Sequence, residues 1–218
     1  MSSLPSIGVL VSGSGSNLQA IIDAVEAGRI PAKIGVVISN KADAYGLVRA
    51  RNHAIPTEFI DHRSFENREA FDARLVEILR SYDIRLVCLA GFMRLLTPVF
   101  LGAFPGRVLN IHPALLPSFP GTHGPRDALN YGVRFSGCTV HFIDEGIDTG
   151  PIVAQAVVPV YEDDTEESLA ARILKEEHRI YPMAIRLFLE GKLTVSGKKV
   201  FTANAGKVSD FSHRNPDA

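Results

Sequence analysis

Asn110 and His112 stand two residues apart in the stretch LNIHPALLPSFPG, residues 109–121. A carboxamide and a charged imidazole are both hydrogen-bond donors, and two donors aimed at one point suit the stabilisation of a developing oxyanion. On an extended strand, residues two apart project from one face, so Asn110 and His112 point together while Leu109 and Ile111 point the other way. Pro113, Pro117 and Pro120 follow at once and stiffen the exit from the strand. One X-Pro bond there, Leu116–Pro117, is expected to be cis. A third participant is offered by GCTVHFIDEGIDTGPIVAQ (137–155), where Asp144, Glu145 and Asp148 crowd a glycine-containing loop. If that loop folds over the end of the strand bearing His112, Asp148 reaches the ring. A carboxylate beside an imidazole favours its charged form and fixes its orientation.

A second chemical feature is VLVSGSGSNLQAII (9–22), in which Gly13, Ser14, Gly15, Ser16 and Asn17 lie between a strand pattern and a helix pattern. Glycines admit an anion close to the backbone, and the unpaired N–H groups of a helix's first turn hold it. The dinucleotide fingerprint needs a third glycine and an acidic residue after the second strand. Here Leu18 stands in place of that glycine, and the second strand ends in SNKAD. A Walker-type Gly-Lys-Ser/Thr is also missing, so a phosphate monoester is the better guest; a strand-to-helix turn without ligand stays open. A serine hydrolase would need a G-x-S-x-G elbow, which is not present. His112, His123 and His141 lack the spacing of a zinc site, so no metal is expected.

The elements that must position these groups follow from periodicity. Short β-rich runs at 7–12, 34–39 and 84–90, with TEFID (57–61) as a further one, alternate with helix patterns, which implies parallel strands joined by helical crossovers. In the first helix Leu18, Ile21, Ile22 and Val25 form an apolar stripe, and Gly28 supplies its stop. In the third, Phe71, Leu75, Ile78 and Leu79 do the same. After Pro105 the reading is three strands, 107–112, 137–143 and 151–160, without helices between them, which adds an antiparallel portion to the sheet. A long final helix follows, with Asp164 as N-cap, Glu167 completing a capping box, and Pro182 as a candidate kink. A hairpin around Gly197 and a loose tail end the chain. The expected fold class is α/β: a Rossmann-like open sheet with a parallel N-terminal half and an antiparallel C-terminal extension. It is read as one domain over 1–203, with a phosphate-binding half at 7–105, a catalytic half at 106–203 and a tail at 204–218.

Composition narrows the classes of partner. The 23 basic and 24 acidic side chains leave a net charge of -1 with no long single-sign run, which argues against a nucleic-acid or membrane surface. Arg94 and Pro98 interrupt the one apolar stretch of membrane-spanning length. Cys88 and Cys138 both sit in apolar runs and read as buried free thiols, which fits a reducing cytoplasm.

SGSGSNLQAI, ISNKADAYGLVRA, LAGFMRLL, LNIHPALLPSFPG and DEGIDTGPIVAQ, in that order, resemble the phosphoribosylglycinamide formyltransferase family. The similarity runs from about residue 7 to about 190. The Asn-x-His-Pro and downstream Asp pattern is shared by the wider set of 10-formyltetrahydrofolate-using enzymes. The resemblance implies transfer of the formyl group of 10-formyltetrahydrofolate to the amine of glycinamide ribonucleotide, in de novo purine biosynthesis. It implies Asn110, His112 and Asp148 as catalytic groups, Gly15, Ser16 and Asn17 on the substrate phosphate, and Glu177 on the ribose. The folate is implied along Met93, Arg94, Leu95 and Leu96 and against Ile143, Asp144 and the rest of the loop to Asp148, with Arg68 near its glutamate tail. A homodimer is left open. A formyltetrahydrofolate hydrolase and a non-catalytic folate- or nucleotide-binding module are the alternatives. The segment PGTHGPRDAL (120–129) and the C-terminal hairpin depart from the family pattern.

Overall fold

The computed structural model describes residues 4–203; the tail expected at 204–218 lies outside them. Among the described residues nine strands form one sheet in the order β3-β2-β1-β4-β5-β6-β7-β9-β8. The parallel half is β1 (Ser6–Val11), β2 (Lys33–Ser39), β3 (Thr57–Phe59), β4 (Ile84–Leu89) and β5 (Val108–His112). Helices α1 (Ser16–Glu26), α2 (Tyr45–Asn52), α3 (Arg68–Ser81) and α4 (Pro98–Ala103) provide the crossovers. Then β6 (Phe135–Phe142) pairs antiparallel with β5, and β7 (Ile152–Pro159) antiparallel with β6. The hairpin β8 (Leu193–Ser196) and β9 (Lys199–Thr202) joins the edge of β7. The α/β class and the parallel-then-antiparallel order agree with the periodicity.

Two corrections concern the second half. A helix, α5 (Gly124–Tyr131), lies between β5 and β6, where an unbroken run of strands was expected. Its eight residues carry too few turns to show a period, and its Gly-Pro start reads as a loop; Pro125 in fact occupies the first turn, where a missing N–H costs nothing. The final helix α6 (Glu166–Leu189) begins one residue later than expected, with Thr165 as N-cap and Ser168 completing the reciprocal box. Asp164 instead accepts from Ser168 Oγ and from both Arg172 terminal nitrogens at 2.7 Å, which locks the approach to the helix. Pro182 lies inside α6, and the helix continues through it.

Both faces of the sheet are covered. Leu18, Ile21 and Ile22 of α1 and Leu169, Ile173 and Tyr181 of α6 pack one face; Phe71, Leu75 and Leu79 of α3 with Phe100 of α4 and Phe104 just after it pack the other. Burial on both sides explains why β1, SIGVLV, is buried at every position and does not alternate. Among the described residues no helix is long and apolar enough to cross a membrane.

Strand order places the site. β1 has β2 on one side and β4 on the other, so the chain reverses direction across the sheet there, and open α/β sheets bind ligands in the crevice beyond the carboxyl ends at such a point. The glycine turn leaves β1 and the LNIHP stretch ends β5, two strand spacings away, which is about 10 Å.

Candidate active site

The β5–β6 pairing sets Asn110 opposite His141 and His112 opposite Thr139, so all four project from one face. His141 is fully buried. Its Nδ1 lies 2.9 Å from the carbonyl oxygen of Phe142, which can only accept, so Nδ1 carries the hydrogen. Burial pulls the His141 pKa below its ordinary value, against the opposing effects of that carbonyl and of Asp148, and keeps the ring neutral. Its Nε2 is then an acceptor, and Asn110 Nδ2 donates to it over 3.2 Å. The second hydrogen of that amide stays free.

His112 is held by the same logic. Its Nε2 is 2.8 Å from the carbonyl oxygen of Phe119 and must donate to it, leaving Nδ1 as the ring nitrogen 3.5 Å from Asp148 Oδ2. Asp148 Oδ2 also accepts from the Gly121 N–H at 2.8 Å, and Oδ1 is 3.7 Å from His141 Nε2. Thr139 pins the loop after β5: its hydroxyl donates to Ala114 O and accepts from Leu116 N and Gln155 Nε2. Leu116–Pro117 is cis, as expected. Phe119 and Asp148 both have φ near 53°, a left-handed conformation that costs a non-glycine residue about 1 kcal/mol. Both unfavourable angles fall on groups that hold His112. The structure therefore brings Asn110, His112 and Asp148 together. The sequence reading missed His141, whose position becomes visible only once the antiparallel register is known, and it missed Gly121 and the Phe119 carbonyl, which carry no side-chain signal.

Asn110, His112, Gly121 and Asp148 line a cavity of about 570 Å³. Arg68, Met93, Arg94, Leu95, Leu96, Ile143 and Asp144 all line it, together with Ile147 and Thr122. Exposed Met93, Leu95 and Ile147 offer apolar walls, and Arg68 and Arg94 offer cations, a combination that suits a flat heterocycle carrying an anionic end. Backbone fixes this wall: Ser12 Oγ accepts from Met93 N, and the buried carboxylate of Asp72 accepts from Thr97 N at 2.6 Å. Arg68 donates to Leu95 O, and the Arg94 guanidinium lies over the Phe71 ring. The Asp144 carboxylate is engaged elsewhere, with Thr149 Oγ1 and Lys198.

Gly15, Ser16, Asn17 and Glu177 stand apart from that cavity, at the end of β1. Gly15 caps α1 at φ 68°, and a Cβ there would lie 2.6 Å from Gly46 Cα, so no other residue lets α2 dock on the turn. Arg49 reinforces the contact by donating to Ser14 O. No side chain caps α1, so its first N–H groups are left without a side-chain partner, as an anion site requires. The Asn17 side chain does not point that way: Nδ2 donates to Glu177 Oε2 at 2.7 Å, and Oδ1 is buried without a partner. Burial raises the Glu177 pKa, against the Asn17 hydrogen bond. Asn17 and Glu177 are thus paired with each other, and both are buried. Among the described residues no three His, Cys, Asp or Glu side chains gather to hold a metal ion.

Comparison with known proteins identifies the family. A family model described as formyl transferase matches residues 6–185. Phosphoribosylglycinamide formyltransferase of Escherichia coli is 48% identical over 185 residues, 85% of this chain and 87% of that protein. The trifunctional purine biosynthetic protein adenosine-3 of Chironomus tentans is 47% identical over 88% of this chain, and the chain spans 14% of that protein's length. The crystal structure of glycinamide ribonucleotide transformylase 1 from Symbiobacterium toebii superposes with a TM-score of 0.91 at 56% identity, covering 92% of this chain and 95% of that one.

Proposed function

Because the chain belongs to the formyl transferase family, a folate-dependent group, we propose that it transfers the formyl group of 10-formyltetrahydrofolate to the primary amine of glycinamide ribonucleotide. The observation that carries the proposal is the convergence of Asn110, His112 and Asp148 in a cavity with the walls a folate needs. In this reading the pterin lies along Met93 to Leu96 and against the 143–148 loop, with its glutamate end toward Arg68. The phosphate of the second substrate rests on the backbone N–H groups of Gly15, Ser16 and Asn17, and its ribose hydroxyls donate to Glu177.

The amine attacks the formyl carbon, and the carbonyl oxygen becomes an oxyanion. Asn110 Nδ2, with one hydrogen committed to His141, directs the other to that oxygen; His112 Nδ1–H is the second donor, and Asp148 orients and charge-balances the ring. Each such donor contributes roughly 3 kcal/mol to the transition state. Collapse breaks the bond between the formyl carbon and N10, and a water relays the amine proton to the departing nitrogen. Holding the two substrates at the carboxyl ends of β1 and β5 makes the attack effectively unimolecular. No protein nucleophile is required.

The test is an absorbance assay for deformylated folate with and without glycinamide ribonucleotide. Product formation that requires the ribonucleotide supports the proposal. Formate release at the same rate without an acceptor would overturn it in favour of hydrolysis.

A further inference from the structure

The C-terminal hairpin lies beyond the residues that the family model matches, yet it touches the candidate site. It joins the sheet through one ladder pair, Lys199 with Ile152, and its turn sets Lys198 over the loop that carries Asp148. Lys198 Nζ donates to Asp144 Oδ2 at 2.8 Å and to the Thr149 carbonyl oxygen at 2.7 Å. Asp144 Oδ1 in turn accepts from Thr149 Oγ1 at 2.6 Å and from Gly146 N at 3.2 Å. One ammonium thus spans both ends of the segment 144–149, with Asp148 held between them.

The loop has little freedom of its own. A Cβ on Gly150 would collide with the Phe142 carbonyl, so the chain re-enters β7 along a single path, and Asp148 sits at φ 53°. That angle is unfavourable for a residue with a Cβ, and contacts from neighbouring segments help to hold it. Gly121 supplies one restraint from the side of the proline-rich loop. Lys198 supplies the other from outside. An isolated exposed ion pair contributes little, but here two charge-assisted hydrogen bonds act on two points of one loop.

We propose that Lys198 is a positioning residue: it clasps the 143–149 loop from the C-terminal hairpin, holds Asp148 in register with His112, and fixes the loop as a wall for the formyl donor. Residues 193–202 thereby belong to the machinery of donor binding. This rests on the formyl-transfer reading for its kinetic consequence, and on geometry alone for the clasp.

Lys198→Met keeps the length of the side chain and removes the charge and the donors; Lys198→Arg keeps both. In Lys198→Met the KM for 10-formyltetrahydrofolate should rise about fivefold, the effect of losing ~1 kcal/mol, with the KM for glycinamide ribonucleotide unchanged. Amide hydrogen exchange over 143–150 should quicken in the same variant, and Lys198→Arg should restore both. Wild-type donor KM and wild-type exchange in Lys198→Met would overturn the clasp while transfer by the parent chain still stood. An equal rise in both KM values would mark general destabilisation and also overturn it. If the parent chain transfers no formyl group, the functional reading fails, and loop exchange alone decides the clasp.

Discussion

At the scale of single residues, the site works by committing hydrogens. His141 is neutral with its proton on Nδ1, so Asn110 must donate to it, and Phe119 fixes the proton on His112 Nε2. His112→Ala should lower turnover by about 10²- to 10³-fold, as removal of an oxyanion donor does, and should lower the melting temperature by a few degrees at most, since the Phe119 carbonyl loses its partner. A steady-state assay paired with thermal unfolding checks both halves. Glu177 is a second case. Its folded pKa is raised by burial, so above that raised value the charged carboxylate destabilises the fold, and as pH falls toward the ordinary carboxylate range the penalty disappears. Glu177→Gln should therefore raise the melting temperature at neutral pH, and its advantage should shrink on acidification. The same change should weaken the ribonucleotide, since a carboxamide is the poorer acceptor for ribose hydroxyls. Thermal scans across pH and a ribonucleotide titration test the exchange of stability for binding.

At the scale of elements, α6 ties the catalytic strand to the sheet's centre. Its Tyr181 is fully buried, and the hydroxyl is shared between Leu89 O at 2.9 Å and Leu109 O at 3.0 Å, the carbonyls that close β4 and precede Asn110. Burial pushes the phenol's pKa well above its usual value, so the group stays a donor at any working pH. Tyr181→Phe should cost about 1 kcal/mol of stability, the net worth of a typical hydrogen bond, and should also slow turnover by loosening the strand under Asn110. Chemical denaturation with steady-state kinetics measures the two together; a stability loss with turnover untouched would confine Tyr181 to packing.

At the scale of the whole molecule, Cys88 on β4 and Cys138 on β6 are free thiols sealed inside the sheet. Burial raises both pKa values, that of Cys138 to about 12 and that of Cys88 further, so neither forms thiolate at neutral pH. A water-soluble disulfide reagent should modify them only when the fold opens, and the labelling rate should follow denaturant concentration with the slope of global unfolding. Rapid labelling of either thiol in the native protein would show that the sheet opens locally.

Much of this was legible in order of sequence. Periodicity fixed the parallel half and the stripes of α1 and α3, because an apolar pattern matches a buried face whatever lies opposite. The parity of Asn110 and His112 made them neighbours on any strand. The glycine turn declared itself because Gly13 and Gly15 stand between a strand pattern and a helix pattern, whereas the docking of α2 that requires Gly15 left no sign there. Features that depend on a partner distant in the chain were not legible. α5 was too short for a period, and the α6 cap fell on Thr165 because Asp164 is drawn to Arg172. His141 entered the site through antiparallel register, Asn17 turned to Glu177 160 residues away, and Lys198 reached a loop 50 residues before it. Local chemistry thus determined which groups could act; the sheet's closure and the loops it brings together decided which of them meet, since contacts between separate strand ends are energetic facts of the folded chain and leave no local trace.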